Sequence, residues 1–208
     1  MMMNNTSAAL PEVTAERAAE LLGQTQGAMV LVGAGLGWMM SGLSALGNIP
    51  LGLFLAVLAV AALLLLGAVA VRRSARGIAW VPWSPPLRRG FMLAFGGEAA
   101  AIMVIFAAAL LLHRPVWIPP LVALAVGLHF LPLARLFRRP LYYVTGAALC
   151  AVCVGTIAFM PPQWGARHLQ GWLLSAGLGS GTVLWLSVLW MLIQSGRGLQ
   201  EFSQTQRW

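Results

Sequence analysis

The chain contains no lysine and no aspartate, and only 9% of its 208 residues carry a charge. A soluble domain of this length would carry roughly 25%. That scarcity, together with 60% hydrophobic residues and a mean hydropathy of +0.82, excludes a soluble globular domain and a disordered chain alike. Two cysteines are too few for a disulfide-rich secreted module. The lack of aspartate excludes a Ser-His-Asp triad and a paired-aspartate metal site, and the lack of lysine excludes a Walker A phosphate loop. What is left is an all-α, polytopic membrane protein.

All 13 basic residues are arginine and give a net charge of +8. They fall in the gaps between apolar runs, so the charge reads as a topology signal and not as a nucleic-acid surface. Arginine, alanine and glycine without lysine match the codon bias of a GC-rich bacterium, which points to a bacterial cytoplasmic (inner) membrane. Residues 1–26 lack the basic start of a secretory signal, because Arg17 is offset by Glu12, Glu16 and Glu20. Proline at 11 and early acids predict a short amphipathic helix there, lying along the membrane surface.

Six runs are long enough to cross a hydrocarbon core of about 20 helical residues. They cover 28–46, 50–71, 90–112, 116–134, 141–160 and 169–194, leaving 195–208 as a tail. With the N-terminus inside, eleven arginines lie on the inner side and only Arg114 and Arg167 on the outer. The positive-inside rule then places both termini in the cytoplasm. Three short outer links make sequential helices antiparallel neighbours. The long inner connector, 72–89, holds Arg72, Arg73, Arg76, Arg88 and Arg89 with Trp80, Trp83 and three prolines. Its prolines oppose a regular helix, and its arginines and tryptophans suit a surface of anionic inner-leaflet lipid. The two three-helix halves have inverted topology by parity, similar to transporters, without residue-level similarity between them.

Small residues repeat at a spacing of four in the first span, Gly33, Gly37, Ser41 and Ala45. The last span carries Gly171, Ser175 and Gly179 with the pair Gly177 and Gly181, and the fifth carries Ala147, Ala151 and Gly155. Such lines let neighbouring backbones approach. They serve a compact bundle, a homo-oligomer or a partner membrane subunit. The second span, mostly Leu, Val and Ala, is expected to face lipid more than the others. Gly33, Gly35 and Gly37 are not a dinucleotide fingerprint, since Trp38 stands where its third glycine belongs.

Glu98 is the one carboxylate inside a span. It lies roughly 14 Å along the third helix from Arg89, and His129 roughly 9 Å from Arg135 on the fourth. An intramembrane acid is costly and usually faces the bundle interior or a water path. Gly96, Gly97 and Ala99 to Ala101 beside it predict a helix crowding close. A Glu98–His129 contact would serve as a proton or cation relay, with Arg135 at its mouth, or as a polar clip between two helices. Pro132 disturbs the carbonyl of Leu128 beside the histidine.

Cys150 and Cys153 resemble the Cys-x-x-Cys of membrane thiol–quinone oxidoreductases in spacing. That family needs further cysteines which this chain lacks, and mid-helix thiols are unreactive, so they read as packing residues. No metal spacing and no cofactor is implied. His113 and His168 flank Arg114 and Arg167 in outer links and read as interface residues. Gly179-Ser180-Gly181 follows Leu178 where an intramembrane serine protease needs glycine.

Three functions fit these residues. One is movement of a small solute or ion using Glu98 and His129. Another is a non-catalytic membrane subunit or scaffold docking a partner through small-residue faces; six spans in 208 residues resembles the substrate-binding components of vitamin importers. The third is a lipid-modifying enzyme that holds a phosphate headgroup with Arg88, Arg89 and Arg135. No catalytic residue is assigned.

Overall fold

The structure, a computed structural model of the chain, describes residues 9–74, 84–164 and 169–205, and the side chains of 23–73, 84–163 and 170–197. It is all-helical apart from one short ladder. The helices are α1 (Ala9–Ser44), α2 (Leu51–Ser74), α3 (Pro85–Leu111), α4 (Ile118–Phe137), α5 (Pro140–Phe159) and α6 (Gly171–Thr205). A 3-10 turn, Pro115–Trp117, leads into α4, and β1 (Gln163–Trp164) pairs antiparallel with β2 (Leu169–Gln170) just before α6. Each helix contains a stretch long and apolar enough to cross a membrane.

Proline starts the helices. Pro85-Pro86, Pro119-Pro120 and Pro140 occupy the first turns of α3, α4 and α5, where a missing amide donor costs nothing. The Pro85-Pro86 pair of the inner connector therefore opens α3 five residues earlier than hydropathy predicts, instead of opposing a helix. At the other end of α1 the chain turns through Gly47, whose φ of +75° is the left-handed conformation that glycine adopts without strain. Two further boundaries differ from expectation. The surface helix predicted before the first span is continuous with it in α1, because no proline follows Pro11 as far as Ser44. The predicted tail is helical as far as Thr205, with no proline to stop it.

A single packing rule runs through the bundle. Every helix turns a line of residues inward at alternating steps of three and four. On α6 it is Gly177, Gly181, Leu184, Val188, Met191 and Ser195, all buried. On α4 it is Pro120, Ala123, Gly127, Phe130 and Ala134, and on α5 Gly146, Leu149, Cys153 and Thr156. Steps of four and three keep one face toward the neighbour, the repeat of left-handed helix packing. A strict spacing of four advances 40° per step on a helix of 3.6 residues per turn, so it winds off the contact. Gly33, Gly37 and Ser41 accordingly stand on the exposed side of α1, and only Ala45 is buried. Ala147 and Ala151 are exposed on α5, and Gly155 has open space beside it.

The glycines that do bring backbones together lie on the inward lines. A Cβ on Gly177 would run into the backbone of Gly42, and one on Gly181 would sit 3.0 Å from the Gly35 carbonyl. Across α4 and α5, a Cβ on Gly127 would lie 2.9 Å from the Gly146 carbonyl oxygen. Helix α6 is the centre, antiparallel to α1 and in contact with α2, α4 and α5. Half of its apolar stretch is buried, against 17% for α2 and 6% for α3. Thus α3, not α2, is the helix most open to lipid, because it packs on α4 along one side only.

Polar side chains pin α5 to α6. Thr145 and Ser187 meet at 2.8 Å and Thr156 and Ser175 at 3.0 Å. In the first pair one hydroxyl donates across the interface while the other returns its proton to its own helix carbonyl, Leu141 or Val183.

Candidate functional site

The inward line of α3 reads Leu87, Phe91, Ala94, Glu98, Ala101 and Ile105, steps of four and three against α4. Glu98 is thus placed by the same repeat that packs the rest of the bundle. Side chains on a helix lean toward its N-terminus. Because α3 and α4 run antiparallel, Glu98 leans toward the arginine-rich end and His129 away from it, which closes the offset in depth between them. The structure puts Glu98 Oε2 3.5 Å from His129 Nε2. Both side chains are mostly buried, 16% and 9% exposed.

The other ring nitrogen settles the proton arrangement. His129 Nδ1 lies 3.1 Å from the carbonyl oxygen of Ala94, one turn before Glu98. A carbonyl can only accept, so Nδ1 carries a proton and donates it there. Nε2 is left to face the carboxyl group. With no proton between them, two acceptors oppose each other; with a proton on each, two donors do. The pair is satisfied by one proton, held either on the carboxyl or on the imidazole. Phe130 closes one side of the ring, edge-on at 5.8 Å.

Among the described residues nothing crowds the pair from beyond α3. Gly96 and Gly97 have open space where a Cβ would project, and Ala99 and Ala100 are exposed. Gly96, Gly97, Ala99 and Ala100 therefore face outward and only Ala101 lies on the line that meets α4, because only every third or fourth residue of α3 meets that helix. Arg135 is exposed and outside ion-pair distance of Glu98. Helix α4 runs unbroken through Pro132.

The remaining sequence candidates are spread through the molecule. Arg72 and Arg73 end α2, and Arg88 and Arg89 lie in the first turns of α3; all four are exposed. Arg76, Trp80, Trp83, Arg167 and His168 lie outside the described residues. His113 and Arg114 are exposed in the turn after α3, His113 at a φ of 54°. Cys150 and Cys153 are free thiols, with Cys150 against Gly127 and Cys153 buried. Among the described residues no three His, Cys, Asp or Glu side chains gather as metal ligands.

One polar junction was not foreseen. At the arginine-rich end, the Gln24 amide sits between Arg139 and Ser195. A guanidinium has only donors, so the amide oxygen faces Arg139, at 2.6 Å from both terminal nitrogens, and its NH2 donates to Ser195 Oγ at 2.8 Å. This joins α1, α6 and the start of α5. The signal in the sequence is weak, since Arg139 is the third arginine of a cluster that reads uniformly as surface charge. A groove of about 220 Å³ between α1, α2 and α6, floored by Trp185, is apolar and takes no residue from the Glu98 site.

Residues 17–194, most of the chain, match the model of a family described as of unknown function, DUF7010. The chain belongs to the DUF7010 family. No curated protein and no solved structure matches it. Within this DUF7010 protein the Glu98–His129 pair is the one place among the described residues where an intramembrane acid meets a titratable base.

Proposed function

We propose that this DUF7010 protein moves a small solute or ion across a bacterial cytoplasmic membrane, with both termini inside, and that the Glu98–His129 pair carries the proton coupled to that movement. The observation that supports it is the fixed Nδ1, which leaves one proton to be exchanged between Nε2 and the carboxyl. At 3.5 Å the pair is longer than a good hydrogen bond, and this looser contact supports the relay reading over a clip. Glu98 also keeps some exposure.

The test is proton entry into liposomes carrying the purified full chain and an internal pH dye, driven by an imposed membrane potential. Entry above protein-free liposomes is expected, falling to that background in Glu98→Gln and strongly reduced in His129→Asn. Undiminished entry in folded Glu98→Gln, or none with the native chain, overturns the reading.

A second reading, a membrane subunit docking a partner, draws on the bareness of α3 and of Gly33, Gly37 and Ser41. Mass measurement of the particle extracted with its native membrane decides it. A particle of one chain, 22.2 kDa plus lipid, counts against a partner.

A further inference from the structure

The cytoplasmic-side arginines divide into two kinds. Arg139 is turned inward onto Gln24. Arg88, Arg89, Arg135 and Arg138 are all exposed. Yet these four are brought to one corner of the molecule. Gly90 packs so closely on α4 that a Cβ there would lie 2.7 Å from Leu136 Cδ1, and Phe91 meets Phe137 edge-on with ring centres 6.4 Å apart. Each of the four arginines is within two residues of one of these contacting positions. The beginning of α3 and the end of α4 therefore bring these four arginine positions to one end of the same helix pair.

No carboxylate on either helix answers them. Glu98 is the sole acid of α3 and α4, and it lies two turns deeper, facing His129. Four like charges at one corner repel one another, and an anion among them relieves that repulsion. Guanidinium forks match phosphate oxygens in geometry, two N–H donors to two oxygens. Immediately toward the membrane from these arginines, α3 exposes Met92, Leu93 and Phe95, which are 62%, 77% and 55% exposed. An apolar surface continuous with a phosphate-matching corner has the layout of a lipid contact, headgroup at the rim and acyl chain along the helix.

We infer that the α3–α4 corner binds the phosphate of an anionic phospholipid through Arg88, Arg89, Arg135 and Arg138. The site is independent of the proton-carrying role of Glu98. A free phosphate ion offers the same oxygens, but it makes no use of the exposed apolar side chains below.

The test is binding by the full chain in a neutral detergent, read as lipid-bound mass species and as thermal unfolding. The probes are phosphatidylglycerol, phosphatidylcholine and inorganic phosphate. Phosphatidylglycerol is expected to bind in preference to phosphatidylcholine, and the double variants R88Q/R89Q and R135Q/R138Q each to weaken it by about tenfold or more. The R72Q/R73Q control, on a separate helix end, is expected to retain it. R88K/R89K checks that loss follows from charge and fork geometry and not from unfolding; it should bind between the native chain and R88Q/R89Q. Equal loss in R72Q/R73Q would mean diffuse surface charge and overturn the site. Inorganic phosphate binding as tightly as the lipid would overturn the assignment to phospholipid, as would absence of any preference over phosphatidylcholine.

Discussion

Ser180 lies on α6 with a hydroxyl that is fully buried and has no hydrogen-bond partner among the described residues. An unpaired buried hydroxyl costs about 1–3 kcal/mol, whereas the same atom removed costs only a small loss of contact. Ser180→Ala is therefore expected to leave stability unchanged or raise it by about 1 kcal/mol, measured as reversible unfolding in mixed micelles. Thr145→Val is the contrast, because it strips Ser187 of a partner at 2.8 Å. Its cost should be about 0.6 kcal/mol, the typical worth of a polar contact between membrane helices. Finding Ser180→Ala more damaging than Thr145→Val would show that the Ser180 hydroxyl has a role the structure does not account for. At the same scale, Glu98 and His129 differ from these hydroxyls in one respect. His129 is held by the Ala94 carbonyl at Nδ1, and its Nε2 faces the Glu98 carboxyl group.

The seams between helices make a sharper case, since the same residue type has opposite consequences on opposite faces of α1. A Cβ on Gly42 would sit 2.8 Å from the backbone nitrogen of Leu178, and backbone cannot yield as a flexible side chain can. Gly42→Val is expected to destabilise by about 1–3 kcal/mol or to prevent folding. Gly37→Val projects into open space and should lie within about 0.5 kcal/mol of the native chain. Thermal unfolding of the two variants side by side checks this; equal losses would mean that Gly37 is covered in the membrane, as the subunit reading requires. The pair also explains which part of the architecture was legible. Six apolar runs and arginine-rich gaps depend on composition alone, and they specify the spans directly. Both α1 faces, however, offer small residues, Gly33-Gly37-Ser41 at steps of four and Ala28-Gly35-Gly42 at steps of seven. Only the second keeps pace with a neighbouring helix, because seven residues come to nearly two full turns. The seam that places Glu98, from Leu87 to Ile105, is readable by the same rule, and the approximate depth match to His129 follows from counting residues. The Gln24–Arg139–Ser195 junction is not readable, because it joins residues far apart in sequence and uses an arginine that composition cannot distinguish from its neighbours.

For the whole molecule, the packing divides the helices into α1, α2 and α6 on one flank and α3, α4 and α5 on the other, joined where α5 and α4 meet α6. Helices α2 and α3, consecutive in sequence, lie on opposite flanks: α2 packs on α1 and α6, and α3 on α4. The Gln24 junction crosses this division at the arginine-rich end, tying the first helix of one flank to the first turn of α5 and to the last turns of α6. It also shows that the start of the first span and the end of the last lie at the same end as Arg139. The orientation we propose, with both termini inside, rests on electrostatics alone. It would keep eleven arginines inside and carry only two, Arg114 and Arg167, outward against the membrane potential. Each charge moved across 100 mV is worth about 2.3 kcal/mol, so on this proposal the reverse topology is opposed many times over during insertion. A reporter active only in the cytoplasm should be active at both termini, and one active only outside should work when placed in the turn at Asn48. Moving the arginine excess is the stronger test. Replacing Arg72 and Arg73 with glutamine while adding arginines at Asn48 should produce a mixed population, because insertion reads the difference between the two sides and not the total. A chain whose orientation ignores that change would owe its topology to something other than its arginines.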